Sequence, residues 1–273
     1  MNQAQTVNLT GVSETALLTL NARAREARRP DGIIDDPMAI KLADSIDFDF
    51  AKFGPTRQDI ALRALAFDDQ TRQFLRHDPS GTVVALAEGL QTSFWRVSAR
   101  MPDASVRWLT VDLAPIIDIR SRLLPTSLKV SVCAQSALDY GWMDQVDTSK
   151  SVLITAEGLL MYLQPEQSLG LIAECARRFP GGRMLFDVPP PLLARLMRRG
   201  IRTSLRYKVP PMPFNLSVPD AAKLVDTVPG IRAVRDLPLP AGRGWVFNTA
   251  LSAAYGLRFL EPVRPSLTLL EFG

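Results

Sequence analysis

Hydrophobic positions along the chain alternate between two patterns. Short apolar runs stop at a glycine or an acid: Val83-Val84-Ala85-Leu86-Ala87 ends at Glu88-Gly89, and Val106 to Val111 ends at Asp112. Similar runs at Lys129 to Ala134, Ser151 to Thr155, Arg183 to Val188, Ile231 to Leu237 and Leu267 to Phe272 are read as further strands. Between them helical spacing takes over. Leu113 to Leu124, with Pro115 in its first turn, suits a helix, and Gln164-Pro165-Glu166 opens another whose buried stripe is Leu169, Ile172, Ala173, Ala176 and Phe179.

Ahead of the first strand the pattern is helical. Ser13 can cap a helix to about Arg29, with Ala16, Leu17, Leu20 and Ala24 on its apolar face and Arg23, Arg25, Arg28 and Arg29 in the half where positive charge suits the dipole. Asp36-Pro37 turns into a short helix over Met38 to Ala43, and Thr56 to about Arg76 carries Ile60, Ala64, Phe67 and Thr71 at helical spacing. Residues 1 to 10 read as a mobile tail. Beyond the fifth strand, Leu192 to Lys208 reads as a basic helix, because Arg195, Arg198, Arg199, Arg202 and Arg206 recur at helical steps. Such a face is either solvated or an anion-attracting rim. A short helix over Pro219 to Val228 follows Ser217, and Val246 to Leu260 is an apolar segment.

Strands alternating with helices imply an α/β protein with a mostly parallel sheet. In such sheets ligands bind at the carboxyl ends of the strands where the strand order reverses. Gly89 permits close backbone approach there, and Asp112 can accept hydrogen bonds from ribose hydroxyls or cap the following helix. Glu157, between an apolar strand and Gly158, belongs to the same edge, where burial raises its pKa unless an ammonium or arginine compensates.

Composition narrows the classes. With 47% hydrophobic and 22% charged residues the chain is expected to fold as a soluble protein. Its net charge of +4 is scattered, which argues against nucleic-acid binding. His77 is the only histidine and Cys133 and Cys175 lack ligand spacing, so no metal site is expected. The start lacks a secretory pattern and no apolar run is long enough to span a membrane, so a cytoplasmic protein is expected.

Several segments carry a resemblance. Asp36, Pro37 and Ala39 fit a D-P-x-A pattern; Arg63-Ala64-Leu65-Ala66-Phe67-Asp68-Asp69 is similar to R-T-R-F-I-D-D; Leu86 to Ser93 is similar to L-G-x-G-L-D-T-R; and Ala156 to Leu163 nearly repeats A-E-G-L-x-x-Y-L. Together they resemble the leucine carboxyl methyltransferase family, in particular its bacterial branch of polyketide-type O-methyltransferases. The resemblance implies a three-layer, Rossmann-like class I fold with a mostly parallel seven-stranded sheet. It divides the chain into a helical cover over residues 1–80 and a core over 81–273, with a cover insertion over 190–218 after the fifth strand.

It also implies S-adenosylmethionine as cofactor and a small-molecule acceptor, acidic if the arginines of 195–206 form a rim. Arg63 would pair with the methionine carboxylate, Ala87, Gly89 and Leu113 would lie along the cofactor, and Asp112 would hold the ribose. Asp139, in the segment leading to Trp142, would receive the adenine amino group, with Leu138 beside the ring. Glu157 would face the cofactor's amino group or the acceptor. Glu157, Tyr162 and Asp187 are the catalytic candidates for an acceptor that must lose a proton, whereas a carboxylate acceptor needs no base. Ala87, Gln91 and Ser93 depart from the family pattern. A methyl at position 87 is tolerable at negative φ and disabling at positive φ. A catalytically inactive binding protein is therefore a second reading, and a nicotinamide-dependent oxidoreductase a third, although its glycine fingerprint is incomplete. The oligomeric state, monomer or homodimer, stays open.

Overall fold

A computed structural model describes residues 5–273, apart from the side chains of Leu193, Ala194, Arg195 and Arg258. The expectation of a mobile tail lies outside the described residues for positions 1–4. For positions 5–10 it is corrected: Gln5–Thr6 pairs in parallel with Ile46–Asp47, and Val7 and Leu9 are buried. Apolar side chains at alternate positions give this segment a reason to stay docked.

The main sheet has seven strands, β1 (Thr82–Leu86), β2 (Arg107–Asp112), β3 (Val130–Ala134), β4 (Val152–Ala156), β5 (Arg183–Val188), β6 (Ile231–Leu237) and β7 (Ser266–Phe272), in the order β3-β2-β1-β4-β5-β7-β6. The first five are parallel, and β7 runs antiparallel to both β5 and β6. Every residue of β1 and of β4 is buried, because helices cover both faces of the sheet. Val84, Leu86, Ile154 and Phe186 pack on one face with Leu171, Ile172 and Cys175 of α6 (Pro165–Arg178). Val83, Ala85, Leu153 and Leu185 pack on the other with Phe67, Phe74 and Leu75 of α3 (Asp59–His77). Each fully buried valine or leucine contributes about 1.5–3 kcal/mol to this three-layer core.

Two further helices, α1 (Thr15–Ala27) and α2 (Pro37–Asp44), pack on one another through Leu17, Leu20, Ala39 and Leu42. Asp36 caps α2 by accepting from the Ala39 N–H at 2.9 Å. α4 (Ser93–Arg100) and α5 (Ala114–Leu123) follow β1 and β2. Among the described residues no helix is long and apolar enough to cross a membrane.

The basic helix expected over Leu192 to Lys208 is not formed. α7 spans Pro191–Met197, and the chain then turns at Gly200 (φ +73°) into a bridge between Arg202 and Lys208. A Cβ at Gly200 would lie 2.4 Å from the Val209 carbonyl oxygen, so only glycine permits the close approach. Tyr207 is buried edge-on against Phe53, with ring centroids 4.7 Å apart. That apolar contact, invisible to helical periodicity, draws the segment out of a helix.

Candidate active site

The strand order reverses between β1 and β4, and the loop after β1 occupies this position. Gly89 takes φ +59°, and its N–H donates to Asp112 Oδ2 at 2.7 Å, while Asp112 Oδ1 accepts from the Leu113 N–H at 2.7 Å. Asp112 thus ties the tip of β2 to the loop, and the N-cap position of α5 itself falls to Leu113. Burial pushes the Asp112 carboxyl above its usual range, while the two backbone N–H groups and Arg120 pull it back.

Ala87 has φ +48°, the only positive φ among the described residues other than glycine. A left-handed alanine costs about 1–2 kcal/mol. Its N–H donates to the Val111 carbonyl at 2.7 Å, so the loop keeps the conformation suited to glycine and carries the strain. Of the two cases expected for a methyl at position 87, the backbone takes the one with positive φ.

Four arginines surround this loop. Arg120 donates to the carbonyls of Gly89 (2.8 Å) and Gln91 (2.9 Å) and pairs with Glu88 at 2.9 Å. Arg23, fully buried on α1, donates to the Leu90 carbonyl at 2.7 Å, and burial lowers its pKa to about 10 against the opposing pull of Asp36. Arg96 joins Asp36 (2.6 Å) to Asp68 (2.6 and 3.0 Å). Arg63 donates to Glu157 Oε1 at 3.0 Å and to Asp187 Oδ2 at 3.2 Å; burial opposes its charge, but the two carboxylates prevail and raise its pKa.

Sequence reasoning missed most of this network. It read Arg23 as a dipole partner and left Glu88 without a role. One signal was available for Arg23, which falls between Leu20 and Ala24 on the apolar side of α1.

A cavity of about 480 Å³ opens between the strand tips and the helices before β1, within the usual range of small-molecule sites, about 300–1,000 Å³. Arg63, Ala87, Gly89, Asp112, Leu113, Leu138, Glu157 and Tyr162 all line it. Gly158 (φ +67°) lets the Arg63 guanidinium lie close, since a Cβ there would sit 3.3 Å from its nitrogens. Burial pushes the Tyr162 hydroxyl up to about 12 despite Arg63 nearby.

Two expected site residues are not brought to the cavity wall. Asp187 lies behind it, accepting from the Gly158 N–H at 2.7 Å and from Arg63, with its pKa raised by burial against the pull of Arg63. Asp139 is exposed and caps the 3-10 turn Tyr140–Gln145, accepting from the Gly141 N–H at 3.3 Å. Gln135, Ser136, Ala137 and Leu138 line the cavity in its place. The basic segment after α7 contributes Thr203 and Val209 to the wall; Arg206 pairs with Asp49, and Arg202 donates to the Leu205 carbonyl.

A parallel sheet with this strand order and an antiparallel last strand, a left-handed loop after β1 and an acid closing β2 define a class I S-adenosylmethionine-dependent methyltransferase. The residues present fit that cofactor: an arginine and a glutamate stand at β4, an aspartate at β2 and uncharged groups beyond β3. The profile of the leucine carboxyl methyltransferase family matches residues 16–176. The tetracenomycin polyketide synthesis O-methyltransferase TcmP of Streptomyces glaucescens is 31% identical over 231 residues, 84% of this chain and 83% of that protein. The S-adenosyl-L-methionine-dependent methyltransferase dpfgK of Gibberella zeae is 25% identical over 91% of each chain. Among solved structures, that of the CurJ carbon methyltransferase shares the fold with a TM-score of 0.51 at 12% identity, covering 96% of this chain and 68% of that one. The chain belongs to the leucine carboxyl methyltransferase family. It is an S-adenosylmethionine-dependent methyltransferase acting on a small molecule, so the oxidoreductase and inactive-protein readings give way.

Proposed function

We propose that the enzyme methylates an oxygen that arrives already ionised, a carboxylate or an acidic phenol or enol, on a largely apolar, polyketide-like molecule. The observation that carries this reading is a cavity without a disengaged base. Glu157 is held by Arg63 and by the Gln91 amide at 2.7 Å, Asp187 is turned away behind Arg63, and Tyr162 holds its proton to about 12. Val12, Leu18, Phe53, Met161, Val209 and Met212 supply apolar wall for the acceptor. Arg57, its side chain 81% exposed, lines the cavity and pairs with Asp59 of the same wall at 3.2 Å, so the acidic side chain at the entrance is engaged as well. The name of the Streptomyces relative, a polyketide synthesis O-methyltransferase, agrees with this class of acceptor.

Bound cofactor supplies an electrophilic methyl group on a sulfonium. The chain's own part is placement. Arg63 and Glu157 hold the charged amino-acid end, Asp112 holds the ribose, and the neutral Tyr162 hydroxyl donates a hydrogen bond that orients the acceptor oxygen. The helices before β1 exclude water. Orientation of this kind can supply much of a rate enhancement, up to about 7–11 kcal/mol.

The test is a panel of aromatic carboxylic acids and polyphenols incubated with labelled cofactor, with the methylated oxygen located by mass spectrometry and by lability to alkali. For a carboxylate acceptor the rate is expected to stay nearly flat from about pH 6 to 9, since a carboxylic acid ordinarily ionises near pH ~4. A rate that climbs with ionisation of a protein group would show that the chain supplies a base and would overturn the reading.

A further inference from the structure

We propose that the purine end of the cofactor is read by a neutral hydroxyl, that of Ser136, and that the site therefore accepts hypoxanthine nearly as well as adenine. The inference rests on the cofactor assignment of the same cavity. Charge sets the direction in which the cofactor lies. Arg63 and Glu157 stand at the tip of β4, Asp112 at the tip of β2, and residues 135–138 just beyond β3, three strand positions from β4. That separation is about 14 Å at the usual strand spacing. The zwitterionic end belongs with the arginine and glutamate, the ribose with the aspartate, and the uncharged base with the uncharged segment.

Along that segment the hydrogen-bond inventory leaves one hydroxyl free to turn its proton, that of Ser136, whereas the Gln135 amide, held at both ends, keeps its spare N–H and lone pair in fixed directions. Asp139 is committed as a cap, facing solvent outside the cavity. Gln135 Oε1 accepts from the Cys133 thiol at 2.7 Å, and its Nε2 donates to the Asp139 carbonyl at 2.9 Å. The Trp142 indole donates to the Ala137 carbonyl at 3.1 Å and holds the turn in place. Ser136 Oγ accepts from the Leu138 N–H at 3.2 Å, which leaves its hydroxyl proton and a second lone pair.

That remainder decides specificity. Adenine presents an N6 donor beside an N1 acceptor; hypoxanthine presents an O6 acceptor beside an N1–H donor. A hydroxyl rotates to serve either edge, whereas a carboxylate only accepts and repels O6.

Calorimetric titration of the full chain with S-adenosylhomocysteine and with S-inosylhomocysteine tests the proposal. The two dissociation constants are expected to agree within about tenfold. Ser136→Asp should widen their ratio by about tenfold or more in favour of adenine, because O6 then meets a charged acceptor. Ser136→Ala should weaken both ligands by similar factors, and Asp139→Asn should leave the ratio unchanged. A wild-type preference for adenine above about a hundredfold that collapses in Asp139→Asn would overturn the inference, as would an unaltered ratio in Ser136→Asp. Binding of neither ligand would remove the cofactor assignment itself, and the inference with it.

Discussion

Arg23, Arg63, Arg96 and Arg120 lie between the helices before β1 and the tips of β1, β2 and β4, whereas Arg198, Arg199, Arg202 and Arg206 lie on the segment after β5. The second group catches the eye in the sequence, since its members recur at helical steps. In the folded chain it is exposed; Arg206 and Asp49, for instance, are both 59% exposed. The first group has no periodicity, yet each member is bound to carboxylates, and Arg23 and Arg120 also to the carbonyls of the loop that faces the cavity. Desolvation accounts for the difference. A buried guanidinium must take its partners from the protein, so it fixes them in place even where, as at Arg23 Nη1, one nitrogen is left without one, while a solvated guanidinium can exchange its contacts for water.

The strongest way to break this comparison is at Arg96. Arg96→Ala leaves Asp36 and Asp68 buried without their common partner, and a loss of about 3–5 kcal/mol is expected in chemical denaturation. A loss below about 1 kcal/mol would mean that the network is no more than a surface pair. Asp112→Ala comes next. Removing a charge-assisted acceptor should weaken S-adenosylhomocysteine binding by about 1.5–3 kcal/mol, ten- to a hundredfold, as read by calorimetry. Normal affinity with lowered thermal stability would make Asp112 a structural tie alone. Because burial raises the Asp112 pKa, affinity should also fall on acidification from a higher pH than an ordinary aspartate would dictate.

A smaller effect is expected at Ala87. Ala87→Gly relieves a left-handed alanine, worth about 1–2 kcal/mol, but adds the glycine's entropy cost of about 0.5–1 kcal/mol. The net expectation is a gain of up to about 1.5 kcal/mol in denaturant unfolding; a clear loss would mean that the methyl's packing against the core outweighs its strain. The smallest change belongs to the exposed region. Arg206→Ala should shift stability by less than about 1 kcal/mol, and high salt should erase even that in a thermal melt.

Most of the sheet was legible along the chain. Apolar runs ending at Gly89, Asp112 and Glu157 marked β1, β2 and β4 and the tips that line the cavity, because a strand buried on both faces leaves little choice of residue. The motif around Ala156 to Leu163 likewise placed Glu157 and Tyr162, which do reach the cavity. Local pattern failed where a distant contact decides. The run from Leu192 to Lys208 has helical spacing, but Tyr207 is drawn to Phe53 and Gly200 to Val209, contacts that no window along the chain contains.

The same division separates what the sequence by itself determined from what tertiary structure decided. Strand identity, the loop after β1 and the acid at the tip of β2 follow from hydrophobic burial and backbone sterics, which act within a few residues. Which carboxylates face the cavity and which stand behind it does not. Asp139 and Asp187 look equivalent to Asp112 in sequence, each following an apolar run, yet one caps a turn in solvent and the other is held behind Arg63. A charge takes its role from the partners that satisfy it. For Asp187 that partner, Arg63, lies 124 positions earlier in the chain and meets it only when α3 packs against the sheet.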